Sequence, residues 1–183
     1  MKWIRDEEFI RGSIPMTKFE ARVLIMALLE AGEGDRLLDI GAGTGSVSIQ
    51  AALLGAKVFA IEREREGVEL IQKNAQRFHV GIEIVHGSAP EATAGLGTFS
   101  KCFIGGSGGS LKAIFDEADR RLQPGGILAA SFIVPDNMVE LKKLFADRRY
   151  SEVEVRLIQA SVLEGNGLLK ANNPIFLIRG KKQ

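Results

Sequence analysis

Three glycines follow a short apolar run near the start of the chain. The run at residues 36–40 enters Gly41-Ala42-Gly43-Thr44-Gly45. Glycines at such positions let the backbone approach a ligand closely, and the N-terminus of the next helix offers free amides to a carboxylate or phosphate. The dinucleotide fingerprint has its third glycine one position later, where this chain has Ser46. The loop therefore predicts a bound anionic group and disfavours an NAD-dependent reductase.

An acidic residue, Glu62, ends the second predicted strand about 20 residues after the loop, where a carboxylate can accept both hydroxyls of a ribose. A surface ion pair explains an isolated Glu62 equally well. Together, the loop, the acid and the strand-helix-strand context indicate a ligand of the adenosine type.

Apolar periodicity predicts an alternation of strands and helices in one domain, residues 1–183. A capping box at Thr17 and Glu20 is expected to start a helix at residue 17, before the first strand. Predicted strands lie at 36–40, 57–61, 82–86, 99–104, 127–134, 152–161 and 174–179, with a turn at 123–126 before the fifth. The fold class is thus α/β, a Rossmann-like doubly wound sheet of seven strands, mostly parallel, with an antiparallel terminal pair.

The composition limits the classes of partner that the chain is expected to bind. The 183 residues carry 24 basic and 23 acidic side chains, a net charge of +1, which gives no electrostatic signal for nucleic acid. A charged N-terminus and the absence of a run of roughly 20 apolar residues predict no membrane partner and a cytoplasmic location. The single Cys102 is expected to be a buried apolar residue, and the spacing of His79 and His86 matches no zinc site, so no metal is predicted.

The residues above resemble the class I S-adenosylmethionine-dependent methyltransferases. That resemblance implies S-adenosylmethionine as cofactor, with the glycine loop, Gly41 to Gly45, against its methionine part and Glu62 on its ribose. It places Ser88-Ala89, after the third strand, against the adenine. Many members carry an acid at the position of Ser88, and a hydroxyl is a weaker acceptor for the exocyclic amine.

A narrower resemblance rests on Asp6-Glu7-Glu8-Phe9-Ile10, Ile14-Pro15-Met16-Thr17-Lys18 and Gly105-Gly106-Ser107-Gly108-Gly109. Together these segments are similar to the decarboxylating cobalt-precorrin methyltransferases of cobalamin biosynthesis, the CbiT type. The resemblance implies methylation of carbon 15 of cobalt-precorrin-6B, a tetrapyrrole, with loss of carbon dioxide from the acetate at carbon 12. It further implies a homotetramer, and the anaerobic, cobalt-containing route because the aerobic counterpart is usually part of a longer fused enzyme.

The resemblance also assigns site roles. Residues 1–34 would cover the cofactor site, with Thr17 beside the cofactor, and the second glycine loop, Gly105 to Gly109, would bind the substrate. That loop has no strong base, so the electron-rich macrocycle is expected to supply the nucleophile and no catalytic residue is predicted. A flexible turn explains the second loop equally well. Arg11 and Lys18 are candidate anchors for substrate carboxylates.

Two alternatives to this function stay open from the sequence. A tRNA or other RNA methyltransferase of the same fold would show a basic face and an amine-gripping motif, and neither is evident. A non-catalytic nucleotide-binding protein is disfavoured by the complete loop and Glu62, and turnover is the observation that separates it.

Overall fold

The computed structural model describes residues 3–163, 165 and 167–183. Strands and helices alternate through most of this part. The strands are β1 Arg36–Ile40, β2 Lys57–Glu62, β3 Ile82–His86, β4 Phe99–Ile104, β5 Leu122–Phe132, β6 Ser151–Ile158, β7 Ser161–Leu163, β8 Leu169–Ala171 and β9 Ile175–Lys181. The helices are α1 Phe19–Leu29, α2 Ser46–Leu53, α3 Arg65–Arg77, α4 Leu111–Arg121 and α5 Pro135–Asp147. No helix among these residues is both long and apolar enough to cross a membrane.

The main sheet has seven strands in the order β3-β2-β1-β4-β5-β9-β6. The pairs among β1 to β5 are parallel, whereas β9 is antiparallel to both of its neighbours, β5 and β6. The predicted sheet and its antiparallel terminal pair are confirmed. Because β1 lies between β2 and β4, the loops that leave these three strands meet at one edge of the sheet, where ligands bind in open α/β folds.

Helices cover both faces of the sheet, and the apolar side chains between them form the core. On one face Phe115, Phe145 and Tyr150 contact one another: the ring centroid of Phe115 is 5.8 and 5.9 Å from those of Phe145 and Tyr150, which stack at 4.6 Å. On the other face, Leu29 of α1 and Phe103 of β4 belong to a second buried cluster. Cys102 is 1% exposed, so the prediction of a buried residue is confirmed, and burial raises the pKa of its thiol.

The predicted capping box is wrong. Helix α1 begins at Phe19, Lys18 is its N-cap residue, and no side chain caps it. Thr17 instead lies one residue before the N-cap, and its carbonyl oxygen accepts a hydrogen bond of 2.7 Å from Nη1 of Arg22. Arg22 also donates to the Ile4 carbonyl oxygen at 2.6 Å, so one buried guanidinium ties the backbone before the helix to the N-terminal segment.

The predicted turn at residues 123–126 is also wrong as a break between elements. These residues lie inside β5, where the register against β4 shifts between Phe99 and Lys101. Gly125, at φ +77°, donates its amide to the Lys182 carbonyl oxygen, and Gly126 accepts from the Lys182 amide. The Pro-Gly-Gly sequence, which predicts a turn, therefore forms a bulge within β5 that hydrogen bonds to the end of β9 hold in place.

The segment between β6 and β9 contains the small sheet β7-β8, which the sequence reading did not separate from the preceding strand. Its register pairs Ser161 with Ala171 and Leu163 with Leu169. Leu163 is 66% exposed and Leu169 is 71% exposed. This short hairpin thus carries apolar side chains that a single copy of the chain leaves in solvent.

Candidate functional site

Two cavities lie side by side at the carboxyl edge of the sheet, with volumes of about 710 and 430 Å³. They share walls from the loop after β1 and the loop after β4. The shared residues are Pro15, Gly41, Gly43, Gly105, Gly106, Ser107 and Gly108. The two glycine loops predicted from the sequence thus form the boundary between two adjoining cavities.

The loops touch each other through backbone atoms. A Cβ on Gly41, whose φ is +74°, would lie 2.9 Å from the Gly106 nitrogen. A Cβ on Gly105 would lie 3.0 Å from the Gly41 carbonyl oxygen. Real Cβ atoms essentially never approach backbone as closely as the first distance, so Gly41 needs glycine for the loops to meet. The second distance is tighter than most real contacts, so a side chain at Gly105 would push the loops apart by a few tenths of an ångström. The second loop is therefore packed against the first, which argues against a merely flexible turn.

Glu62 is buried at the end of β2, beside the smaller cavity. Its Oε2 accepts from the Gly43 amide at 2.7 Å, and its Oε1 accepts from the Glu64 amide at 2.8 Å. The side chain is 6% exposed, so the surface ion-pair reading is wrong. A carboxylate has about four lone-pair sites, so two acceptor sites are left for a ligand.

Gly67 makes room for this carboxylate. A Cβ on Gly67, in the first turns of α3, would lie 2.6 Å from Cγ and 2.9 Å from Cδ of Glu62. The backbone of α3 therefore passes directly against the Glu62 side chain. The sequence reading missed Gly67, and an unexpected glycine inside a helix is the signal that points to such a close approach.

Asp39 is a buried acid at the floor of the larger cavity. Its Oδ2 accepts from the Ser48 hydroxyl at 2.5 Å, whereas its Oδ1 has no hydrogen-bond partner within the described residues. Burial raises the pKa of Asp39 to about 7, the charge of Glu62 adds to the rise, and the Ser48 hydrogen bond opposes it. An unpaired buried acceptor of this kind suits a cationic partner.

An N-terminal strap, residues 4–18, runs across the edge of the sheet and lines both cavities. Four side chains from the helices hold its backbone: Gln50 and Arg22 at Ile4, Asn74 at Ile10 and Glu66 at Ser13. Asn74 also donates to the Thr44 carbonyl oxygen at 3.1 Å and so joins the strap to the first glycine loop. Sequence reasoning missed these anchors because each pairing spans a long stretch of chain.

Most predicted site residues line a cavity. Thr17 and Ala42 line the larger one, Ser88 and Ala89 the smaller one, and Gly109 lies with the rest of its loop in the larger one. Thr44 and Gly45 do not line either cavity. Thr44 is 1% exposed, and a Cβ on Gly45 would lie 3.1 Å from Cγ1 of Ile71, so this glycine lets α3 pack against the loop.

Of the two candidate anchors for substrate, the structure brings only one to the site. Lys18 lines the larger cavity, but the exposed Arg11 lines neither.

This sheet order, with adjoining cavities after β1, β2 and β4 and an acid at the end of β2, defines a Rossmann-like methyltransferase fold. A tRNA (m1A58) methyltransferase from Aquifex aeolicus has the same fold, with a TM-score of 0.72 at 16% identity over 96% of this chain and 72% of that one. At that identity the likeness concerns the fold alone.

Residues 8–178 match the family model described as "Precorrin methyltransferase domain", and the chain belongs to that family. The cobalt-precorrin-6B C(15)-methyltransferase (decarboxylating) of Salmonella typhimurium is 40% identical over 98% of this chain and 96% of that protein. A probable enzyme of the same name from Sulfolobus acidocaldarius is 35% identical over 98% and 97%.

Solved structures agree with this assignment. A precorrin-6y C5,15-methyltransferase from Geobacter metallireducens has a TM-score of 0.93 at 32% identity and covers 99% of this chain and 97% of its own. A structure described as precorrin 8W decarboxylase from Methanobacterium thermoautotrophicum has a TM-score of 0.89 at 32% identity, covering 97% and 98%. Relatives that match along their full length thus favour precorrin chemistry over the RNA alternative.

Proposed function

We propose that this chain is an S-adenosylmethionine-dependent methyltransferase that methylates carbon 15 of cobalt-precorrin-6B and decarboxylates the acetate at carbon 12, in cobalamin biosynthesis. The observation that carries the proposal is the pair of adjoining cavities separated by two glycine loops. One cavity has a buried acid suited to ribose, and the other is wider and receives a larger molecule. The names of the full-length relatives support the same reaction.

The residues present fit S-adenosylmethionine. In the smaller cavity, the two remaining acceptor sites of Glu62 suit the two ribose hydroxyls, and Ser88 and Ala89 would border the adenine. Gly41 and Gly43 line both cavities, so the chain of the cofactor would pass along their backbone into the larger cavity. When bound, the cofactor supplies a methyl group on a positively charged sulfur.

The methionine end of the cofactor carries an ammonium and a carboxylate, and this chain offers a partner for each. The free Oδ1 of Asp39 suits the ammonium, and the N-terminus of α2, with the positive end of its helix dipole, suits the carboxylate. Thr17 would border this end from the strap. An ammonium next to Asp39 favours the ionised carboxyl, so we expect cofactor binding to release a proton near neutral pH.

Replacing Gly67 with Ala tests the link between α3 and Glu62. The added methyl would overlap Cγ of Glu62, so we expect the carboxylate to shift and the dissociation constant for S-adenosylmethionine to rise about 10-fold, the effect of losing one charged hydrogen bond. Alanine is the better helix former by about 1 kcal/mol, which offsets part of the cost to folding. Calorimetric titration measures the binding.

Gly81→Ala is the matched control, because a Cβ at Gly81 meets no atom within 4 Å. We expect its affinity to equal that of the unaltered chain. An unchanged affinity in Gly67→Ala would show that Glu62 keeps its position, or is not needed for binding.

On the substrate side, the residues of the chain would position the macrocycle and remove water from it, rather than supply a strong base. The backbone amides of the second glycine loop, Gly105 to Gly109, would bind side-chain carboxylates of the macrocycle, and Lys18 would bind one more. A meso carbon of the electron-rich ring would take the methyl group directly, and the electron pair of the broken sulfur–methyl bond would stay on sulfur. The protein's contribution is then alignment of the two reactants and removal of water.

Anoxic incubation with cobalt-precorrin-6B and methyl-labelled S-adenosylmethionine tests the proposed reaction. We expect label in the corrinoid and release of carbon dioxide in equal amounts. Label without carbon dioxide would overturn the decarboxylating half. If neither signal appeared in a chain that binds the cofactor, the precorrin substrate would be rejected in favour of RNA. If neither signal appeared and the chain did not bind the cofactor, the result would favour the non-catalytic alternative.

A homotetramer and a cytoplasmic location remain parts of this proposal. Exposed apolar side chains on β6 and the β7-β8 hairpin support association of copies, namely Leu157, Val162, Leu163, Leu168 and Leu169. We expect sedimentation equilibrium to give four times the chain mass of 19.9 kDa. A species of one chain mass at micromolar concentration would contradict the tetramer.

A further inference from the structure

The larger cavity has few positive charges for a site proposed to bind a polyacid. Among the described residues that line it, Lys18 is the single lysine or arginine. The same lining contains two acidic residues, Asp39 and Glu20. The proposed substrate carries many acetate and propionate side chains, so ion pairs inside this cavity account for few of them.

Neutral hydrogen-bond donors are present instead. Asn137 lies in the first turn of α5, and Asn172 and Asn173 lie between β8 and β9. All three line the larger cavity, and their side-chain amides form no hydrogen bond with another described residue. The backbone of Asn172 is fixed, since its amide donates to the Ala160 carbonyl oxygen at 2.9 Å. Two separate parts of the chain therefore bring unused amide donors to one cavity.

The rest of this lining is largely apolar. Ile133 and Val134, which follow β5, are 67% and 51% exposed, and the half-buried Ile158 and Ile175 adjoin the same space. A carboxylate loses its charge when it leaves as carbon dioxide, so apolar surroundings favour the loss, whereas a cation would stabilise the ionised starting group. The apolar part of the lining therefore suits the carboxylate that is lost as carbon dioxide. The neutral hydrogen-bond donors suit the carboxylates that the macrocycle retains.

We propose that Asn137, Asn172 and Asn173 are specificity-determining residues that bind the retained carboxylates of the macrocycle as neutral donors. The acetate at carbon 12 then faces the apolar residues. Its bond between the methylene and carboxyl carbons breaks and carbon dioxide leaves, while the electron pair is delocalised into the conjugated ring. The same pair then forms the new C–H bond when the methylene carbon takes a proton from water, which leaves hydroxide. This inference rests on the proposed function and deepens it.

Binding of two corrinoids by aspartate variants tests the proposal without turnover. The probes are cobyrinic acid, a heptacarboxylate, and its neutral heptamethyl ester, each followed by the change in corrin absorbance. In N137D and N173D a carboxylate replaces a donor amide at nearly the same size. We expect the dissociation constant for the acid to rise about 30-fold and that for the ester about threefold, because both ligands lose a hydrogen-bond donor and only the acid is also repelled.

Q76E makes the same chemical change on the exposed face of α3, outside both cavities. It is expected to leave both constants unchanged, which excludes an effect of net charge.

The outcomes separate the two proposals. Acid and ester weakened by equal factors would mean that the asparagines act structurally, and unchanged binding of the acid would mean that they do not touch carboxylates; either result overturns this inference and leaves the proposed function standing. If the unaltered chain bound neither corrinoid, the proposed function and this inference would both be overturned.

Discussion

Replacing Glu62 with Gln is expected to raise the dissociation constant for S-adenosylmethionine roughly 100-fold, since two hydrogen bonds to a charged acceptor contribute about 1.5 to 3 kcal/mol each. Glutamine keeps the size of the side chain but loses the charge, and its NH₂ group faces either the Gly43 or the Glu64 amide, donor against donor. Isothermal titration with S-adenosylmethionine, S-adenosylhomocysteine and adenosine measures the effect. All three ligands contain the ribose, so we expect similar factors.

Glu69→Gln is the matched control, on the exposed face of α3. The Glu69 side chain is 49% exposed, pairs with Arg65 and lines neither cavity, so its charge is in solvent. We expect an affinity within about twofold of the unaltered chain, given the small contribution of surface pairs. If Glu62→Gln bound adenosine normally, the ribose would lie elsewhere. Thermal unfolding of both variants shows whether the titrations compare folded proteins.

The second large effect is a pH-dependent stability that Asp39 imposes on the ligand-free chain. Its folded pKa is about 7, above the ordinary value of 3.8, so between these values the native state holds a proton that the unfolded state lacks. The free energy of unfolding should therefore fall as pH rises through this window, by up to about 1.4 kcal/mol per pH unit. The loss is complete above the folded pKa.

Asp39→Asn is expected to remove this slope. The variant should therefore be more stable than the unaltered chain above about pH 7, while its affinity for S-adenosylmethionine falls because the ammonium loses its partner. Urea unfolding across the window, without ligand, measures the slope. Equal slopes in the two proteins would contradict the assignment of the pH dependence to Asp39.

Local sequence patterns correctly predicted the strands of the main sheet and the first glycine loop, because these features depend on residues that are close together in the chain. The β4 strand at Phe99–Ile104 lies where its apolar run placed it, and the Gly41 loop and Glu62 adjoin because consecutive parallel strands end at one edge. The terminal antiparallel pair followed from two β-rich runs without a helix between them.

The wrong or missing predictions depend on contacts between distant parts of the chain. Thr17 has a capping sequence, but its carbonyl oxygen is held by Arg22, whose position depends on its hydrogen bond to Ile4, 18 residues away. Asn74 lies 64 residues from its partner Ile10, and no spacing rule connects them. The role of Gly67 depends on how closely α3 passes Glu62, which is a property of packing.

The position of β9 has a consequence for how the chain assembles as it is synthesised. β6 pairs only with β9 in the main sheet, yet β9 is the last of the described strands to leave the ribosome. The parallel strands and the smaller cavity can form earlier, whereas β6 has no place in the main sheet until β9 inserts. The half of the site that would recognise the macrocycle is therefore completed last, after the half that would hold the methyl donor.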